Sequence, residues 1–299
     1  MGSIWKALGA PLGAGMHVDG LVFRIKEIAD AVALPVYALR GRQPWSLGYY
    51  TRKKSSIQTA IDTAAVQPGR PLPDAFGIGI DERVVEYPWL FERLCRDGVA
   101  LGRMLDAGST LNHEYILGRD PLRKADLTIM TLAPEKRCYW YQGYSYVFGD
   151  FRNTRFEDGA FDTIISISTL EHVGLDNTML YTDDPTKSEA NRHGFVDAMR
   201  EFRRITAPGG RCLITVPYGR YENFDWFQVF DRDMIRTLID AFAPSSFELE
   251  FFGYGKAGWR RATEADVADA TAFDPHSGRG RRDDRAGCAR AIACIELIR

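Results

Sequence analysis

The sequence predicts an α/β protein, because short apolar runs alternate with helix-like segments from residue 103 onward. The run Thr163–Ser168 is almost continuously apolar, which is typical of a strand buried on both faces of a parallel sheet. A turn after Asp106 supports the same fold class, because Gly108 separates an apolar run from a helix start near Asn112. Such a turn lets backbone N–H groups approach a ligand at a helix N-terminus.

The composition favours a soluble enzyme and excludes several other classes. The chain has 299 residues, of which 45% are hydrophobic, and a net charge of −2. This balance provides no basic surface for nucleic acid, so no nucleic-acid partner is expected. The five cysteines form no CxxC pair, and no apolar run reaches the roughly 20 residues of a membrane span. We therefore expect reduced thiols, a cytoplasmic location and no transmembrane segment.

The N-terminal quarter is predicted to be a helical cap that belongs to the substrate region, over residues 1–75, with one further domain over 76–299. Apolar residues recur at helical spacing within 18–39, which predicts a helix that ends before Pro35. A second helix is predicted over Ser56–Ala65. A third is predicted over Tyr87–Arg96, entered through Pro88. The apolar stripe of the cap needs a partner, which is the catalytic domain, a second subunit in a homodimer, or a peripheral membrane contact.

The later elements alternate as an α/β sheet requires. Helices are predicted over Arg192–Thr206 and Phe230–Phe242. Residues Arg260–Arg290 are rich in Arg, Asp and Gly, which predicts a solvated loop. Seven strands are predicted, over Met104–Asp106, Leu127–Leu132, Tyr144–Phe148, Thr163–Ser168, Arg211–Val216, Phe247–Phe252 and Ala291–Ile298.

Three segments in this order resemble the class I S-adenosylmethionine-dependent methyltransferases: Arg103–Glu114, Gly159–His172 and Thr206–Pro217. The resemblance implies a Rossmann-like, doubly wound sheet of seven strands that binds S-adenosylmethionine. It implies that the loop after the first strand holds the methionine end of the cofactor. Thr110 stands where the family usually has a second glycine, so hydroxyl groups are expected to substitute for it. The loop residues are Asp106, Ala107, Gly108, Ser109 and Thr110.

The same resemblance assigns the rest of the cofactor site. The family has an acidic residue at the end of the second strand that binds the ribose, because a carboxylate accepts two hydrogen bonds. Here that position falls on Thr131, and Glu135 is the nearest acid, either a ribose contact or a surface residue. Asp150 and Phe151 correspond to the adenine contacts, and Ser168 and Thr169 line the cleft after the fourth strand.

His172 is the candidate general base, because an imidazole titrates near neutral pH, and Glu171 is its candidate partner. The alternative for His172 is a structural contact with the cofactor. A similar Glu-His pair binds a divalent metal in ubiquinone-pathway O-methyltransferases, so a metal at Glu171, His172, Asp183 and Asp184 is a second alternative that we do not predict. Candidate substrate contacts are Tyr181, Arg192, His193, Tyr218 and Tyr221.

A narrower resemblance concerns the segments Asp81–Trp89, Ser166–Gly174 and Leu213–Gly219. They look like those of bacterial methyltransferase-like proteins that are linked to surface-polysaccharide biosynthesis. The resemblance implies O-methylation of a sugar or glycoconjugate hydroxyl, so the expected partner is a small-molecule or glycan acceptor. Two alternatives remain: methylation of an aromatic natural product, and a non-catalytic cofactor-binding scaffold protein in glycan assembly.

Overall fold

The computed structural model describes residues 32–39, 41–96, 101–135, 137–182 and 184–299. The strands are β1 (Arg103–Ala107), β2 (Asp126–Thr131), β3 (Ser145–Phe148), β4 (Phe161–Ile167), β5 (Thr206–Pro217), β6 (Glu222–Asn223), β7 (Gln228–Val229), β8 (Ser246–Gly255), β9 (Gly258–Ala262) and β10 (Ala291–Ile298). The helices are α1 (32–39), α2 (Tyr49–Asp62), α3 (Arg83–Leu94), α4 (Glu114–Leu117), α5 (Thr178–Tyr181), α6 (Gly194–Ile205), α7 (Arg232–Phe242) and α8 (Glu264–Val267).

The main sheet has the strand order β3-β2-β1-β4-β5-β10-β8-β9. Strands β1 to β5 are parallel, whereas β10 runs antiparallel to both of its neighbours, β5 and β8. The predicted α/β fold class is thus confirmed, with eight strands in the main sheet instead of seven. The chain order reverses between β1 and β4, and ligands of open α/β sheets bind at such a point, outside the carboxyl ends of the strands.

Each face of the sheet is covered by a different part of the chain. On one face, Val85 and Leu90 of α3 share a buried cluster with Met104 and Ile165 of the sheet. On the other face, α6 and α7 supply apolar residues that include Phe195 to a second buried cluster. In their described residues, the segments that connect β1 to β2 and β2 to β3 contain only short helical turns, and the segment from β3 to β4 contains no helix. The helices before β1 therefore provide much of the cover for the first face.

The described part of the predicted cap packs against the catalytic domain. Ile57 of α2 and Val66 belong to the same buried cluster as α3. The Tyr49 hydroxyl donates a hydrogen bond to the Asp81 carboxylate at 2.9 Å. Of the apolar stripe predicted within residues 18–39, the part before residue 32 lies outside the described residues.

Three helices are present as predicted but begin or end at other residues. Helix α1 continues through Pro35 instead of ending before it. Helix α2 begins at Tyr49, seven residues before the predicted Ser56, and α3 begins at Arg83 with Pro88 in its interior. An internal proline removes one helix hydrogen bond. In α3 that loss is offset by burial, since almost every residue from Val84 to Leu94 is shielded from solvent.

The prediction of a solvated loop over Arg260–Arg290 is wrong. Its first residues belong to β9, which pairs with β8, and α8 follows. Phe273 is 1% exposed, and Ala272 pairs with Ala289 in an isolated bridge. The Trp45 indole also donates a hydrogen bond to the Gly287 carbonyl at 2.7 Å. Charge and glycine content concealed a few small apolar residues that pack into the domain.

Glu86 of α3 links the first helix layer to two strand ends. It is fully buried, and its Oε1 accepts hydrogen bonds from the Ser168 hydroxyl at 2.5 Å and the Thr215 hydroxyl at 2.6 Å. Its Oε2 accepts from the Arg83 guanidinium. Ser168 has a φ of 40°, a left-handed conformation that is uncommon for a serine. Glu86 therefore holds the chain in place where β4 ends.

We expect Glu86→Ala to destabilise the protein by about 3 kcal/mol or more, because it leaves Arg83 and two buried hydroxyls without their acceptor. Urea unfolding followed by circular dichroism gives the free energy of unfolding. The exposed Glu157 provides a matched control, and Glu157→Ala should change stability by less than about 0.5 kcal/mol. Equal effects of the two substitutions would contradict the role of Glu86.

Candidate active site

The turn after β1 is organised by a buried aspartate. Asp106 is fully buried, and its carboxylate accepts hydrogen bonds from the Leu111 N–H at 2.9 Å and the Thr110 hydroxyl at 3.3 Å. Burial raises the pKa of Asp106 to about 7. From α3, the Tyr87 hydroxyl donates to the Thr110 carbonyl at 2.5 Å. Asp106 thus shapes the loop instead of pointing at a ligand, and Ala107 is buried beside it.

Gly108 allows this turn to approach the segment after β4 closely. Its φ is +131°, and a Cβ atom there would lie 2.1 Å from the Thr169 Oγ1. Ser109 also has a positive φ, of 56°, and its buried hydroxyl has no hydrogen-bond partner among the described residues. An unsatisfied buried hydroxyl and an exact fit between two loops are what a cofactor-binding turn requires. The residues present therefore fit a ligand that brings polar groups to this turn.

A cavity opens next to this turn, at the carboxyl ends of β2, β3 and β4. Phe151 contributes one wall and packs edge to face on Phe202, with ring centroids 6.0 Å apart. Asp150 lies in the rim, paired with the Arg152 guanidinium. Burial raises the pKa of Asp150, but the hydrogen bonds from Arg152 outweigh it and lower that pKa. The lining consists of Leu132, Gly149, Asp150, Phe151, Arg152, Thr169, His172, Val173, Gly174, Asn177, Tyr181 and Glu189.

The end of β2 carries a threonine where the resemblance implies an acidic residue that binds the ribose. Thr131 is 1% exposed, and its side chain is hydrogen-bonded to that of Tyr181, which lines the cavity. Glu135 lies close enough for its charge to raise the pKa of both Tyr181 and Asp106, in addition to the larger effect of burial. The position of Glu135 thus keeps it as the candidate ribose contact.

His172 is held in one orientation and one protonation state. Its Nδ1 lies 2.8 Å from the Trp226 carbonyl oxygen, and its ring stacks on the Trp226 indole with centroids 5.1 Å apart. A carbonyl only accepts hydrogen bonds, so Nδ1 carries the proton and Nε2 keeps its lone pair. Burial lowers the pKa of His172 to about 4, so the ring is neutral at pH 7. Glu171 Oε1 is 4.0 Å from Nε2.

The candidate substrate residues separate into three places. Tyr181 lines the cavity. Arg192 and His193 are exposed, and the Arg192 guanidinium lies over the Tyr221 ring at 5.1 Å. Tyr218 is 2% exposed, and its hydroxyl donates to Glu264 at 2.9 Å. The structure therefore does not bring Tyr218 to the cavity, because its ring packs into the core against the face that holds α6 and α7.

Several residues of the site escaped the sequence analysis. Arg152 bridges Asp150 and Glu189, and Glu86 fixes Ser168, which therefore orients the loop instead of offering its hydroxyl to a ligand. Trp226 orients His172 from a loop more than 50 residues away. A signal existed for Glu86 alone, since a glutamate inside an otherwise apolar helix is rarely buried without partners. The other pairings depend on tertiary structure.

The described residues contain no group of three or more His, Cys, Asp or Glu side chains that could hold a metal ion. Asp183, which belongs to the alternative metal site, lies outside these residues. Within the same ranges, no helix has the length and apolar character needed to cross a membrane. All five cysteines are free thiols.

The turn, the cavity and the strand order agree with a family comparison. Residues 107–214 match the model of a methyltransferase domain family. Residues 107–214, about a third of the chain, thus match a methyltransferase domain, and the cofactor of such a domain is S-adenosylmethionine. No curated protein matches the chain.

Solved structures with a similar fold catalyse different reactions. They include the [4+2]-cyclase SpnF, with 17% identity over 57% of this chain and a TM-score of 0.38. The chain spans 60% of the length of that cyclase. Another is 1,6-didemethyltoxoflavin-N1-methyltransferase of Burkholderia thailandensis, with 14% identity, a TM-score of 0.39, and coverage of 97% of this chain and 93% of that chain. A third is the CurJ carbon methyltransferase, with 11% identity, a TM-score of 0.40, and coverage of 72% of this chain and 53% of that chain. Similarities of this size do not identify the acceptor.

We expect Gly108→Val to weaken binding of S-adenosylhomocysteine by about 100-fold or more, or about 2.7 kcal/mol, because the side chain would occupy the space between the two loops. Titration calorimetry measures the affinity, and circular dichroism checks that the variant is folded. Gly143→Ala is the control, since Gly143 also has a positive φ, of +95°, but nothing within 4 Å. An equal loss in the control would show that backbone strain, not the close approach, is responsible.

We expect Asp150→Ala to weaken binding of the same ligand by about 1–3 kcal/mol, the usual effect of leaving a buried polar partner, here the adenine amino group, without its acceptor. The exposed Asp240, which lies on α7, supplies the control Asp240→Ala. Unchanged affinity in Asp150→Ala would mean that this residue serves only to pair with Arg152.

Proposed function

We propose that the protein is an O-methyltransferase that acts on a hydroxyl group of a sugar or glycoconjugate. The observation that carries the proposal is the fixed, neutral His172, whose Nε2 is free to accept a proton beside the cavity. A hydroxyl group is a weak nucleophile, so its methylation is assisted by a base that removes the proton during attack. Trp226 sets both the tautomer and the orientation of His172, so Nε2 is the atom that would accept this proton.

In this proposal, different residues of the site bind the cofactor and accept the proton. The backbone of Gly108 to Thr110 would hold the methionine part of the cofactor, and Phe151 and Asp150 its adenine. When bound, S-adenosylmethionine supplies a methyl group on a sulfonium that a nucleophile can displace. His172 Nε2 takes the hydroxyl proton. Glu171, 4.0 Å away, then lies beside the imidazolium that forms.

The walls of the cavity support a sugar as the acceptor class. Tyr181 presents an aromatic surface, and Asn177 and Glu189 present polar groups. A carbohydrate has both C–H faces, which pack on aromatic rings, and hydroxyls, which need donors and acceptors. The same aromatic surface also suits a phenolic natural product, and the stack of Trp226 on the cavity residue His172 supports this second candidate acceptor class. Methyl transfer to a panel of nucleotide sugars, free sugars and phenols separates these classes.

We expect His172→Ala to lower kcat by about 100-fold, as the loss of a general base does, and to leave S-adenosylhomocysteine affinity within a few-fold. Because the pKa of His172 is about 4, its neutral form prevails at higher pH. The acid limb of kcat/KM in the wild-type protein should therefore lie below pH 5, not near 6.5. A variant that loses cofactor affinity but keeps kcat at saturation would identify His172 as a structural contact.

A further inference from the structure

Glu171 is a buried carboxylate that lacks a complete set of partners. Its side chain is 3% exposed, and its Oε2 is buried without a hydrogen-bond partner among the described residues. An unsatisfied buried acceptor costs about 1–3 kcal/mol. The neighbouring His172 cannot satisfy it, because the only proton of the neutral ring is on Nδ1 and points to Trp226. Glu171 thus has one buried oxygen without a partner, and its other oxygen lies 4.0 Å from Nε2 of the proposed base.

The charges around Glu171 are unbalanced. Arg83 is the cation that acts on Glu171, but its guanidinium is hydrogen-bonded to Glu86. Lys53, the other cation of this region, is paired with Asp81. Within the described ranges, four carboxylates therefore share the cations Arg83 and Lys53, and these carboxylates are Asp81, Glu82, Glu86 and Glu171.

This imbalance favours the protonated form of Glu171 in the absence of a cation. Burial raises the pKa of Glu171 well above its usual range, and the charges of Glu86 and Glu82 raise it further against the effect of Arg83. Burial likewise raises the pKa of Glu82 to about 7. Burial raises the pKa of the Cys288 thiol, and the charges of Glu82 and Glu171 raise it further, so Cys288, from the segment between α8 and β10, lies close to the same group.

We propose that Glu171 binds a positively charged nitrogen of the acceptor, which makes the acceptor an amino sugar or amino alcohol instead of a neutral polyol. The inference rests on the proposed function, because it places the acceptor beside His172. An ammonium group carries three donors and one charge, so it supplies what the Oε2 atom lacks. Binding drives the proton from the Glu171 carboxyl into solvent and leaves a carboxylate paired with the ammonium.

The test is calorimetry on the full chain saturated with S-adenosylhomocysteine at pH 7, with probes that differ only in the amine. The pairs are D-glucosamine with D-glucose, and tyramine with 4-ethylphenol. We expect the amine of at least one pair to bind about 10-fold or more tightly than its neutral partner. Repetition in two buffers of different ionisation enthalpy should show proton release. Glu171→Gln should abolish both the preference and the release, and Glu157→Gln should change neither.

Further variants distinguish the effect of Glu171 from the effects of the other titrating groups. Glu82→Gln should retain the amine preference, because Glu82 does not touch the ammonium in this arrangement. Loss of S-adenosylhomocysteine affinity in Glu171→Gln would overturn the proposal, since the cofactor's own ammonium would then be the partner. Equal affinity for both members of every pair, or an equal loss of both in Glu171→Gln, would also overturn it.

Failure of the proposed function has a different signature. If His172→Ala retains kcat while Glu171→Gln loses the amine preference, the role of His172 as base is wrong and the ammonium site stands. If His172→Ala loses kcat on a hydroxyl acceptor and no amine preference exists, the ammonium site is wrong and the proposed function stands.

Discussion

The arrangement of the cleft depends on one buried carboxylate. Glu86 receives hydrogen bonds from Arg83, Ser168 and Thr215, so three chain segments that are far apart in sequence meet at one residue. Ser168 is thereby kept in a left-handed conformation, which turns the chain sharply as it leaves β4. The next residue, Thr169, then packs on Gly108, and Glu171 and His172 follow within one turn of 3-10 helix. The positions of the turn contact at Thr169 and of Glu171 and His172 derive from this anchor.

The two ends of the cleft differ in their charge balance. At the end with Phe151, Arg152 satisfies both Asp150 and Glu189, so each carboxylate there has a cation. At the end with Glu171, burial and neighbouring acids favour the neutral carboxyl, and burial favours the neutral imidazole of His172. One end is thus a satisfied ion-pair network, and the other consists of groups whose protonation a ligand can change.

The features that could be predicted from the sequence are those that depend on a local residue pattern. The parallel strands were visible as apolar runs, and the turn at Gly108 as a glycine between a strand and a helix start. The order and spacing of these segments, by family resemblance, located the cofactor end of the cleft. What could not be predicted depends on distant partners: Trp226 behind His172, Arg152 between two acids, and the core position of Tyr218. The packing of residues Arg260–Arg290 was not predicted, because Phe273 and a few alanines are the main apolar residues in a segment rich in charged ones. Those alanines are nevertheless buried against the domain.

The position of β10 has a consequence for how the protein folds. This strand is the last of the sheet in chain order, yet it lies between β5 and β8 and pairs with both along almost its whole length. The hairpin of β8 and β9 can form early, because its contacts are local, but it has no strand to join until β10 arrives. During synthesis the nascent chain must therefore keep two unpaired sheet edges, those of β5 and β8, from associating with other chains. Completion of the sheet is thus a late, single event that depends on eight residues.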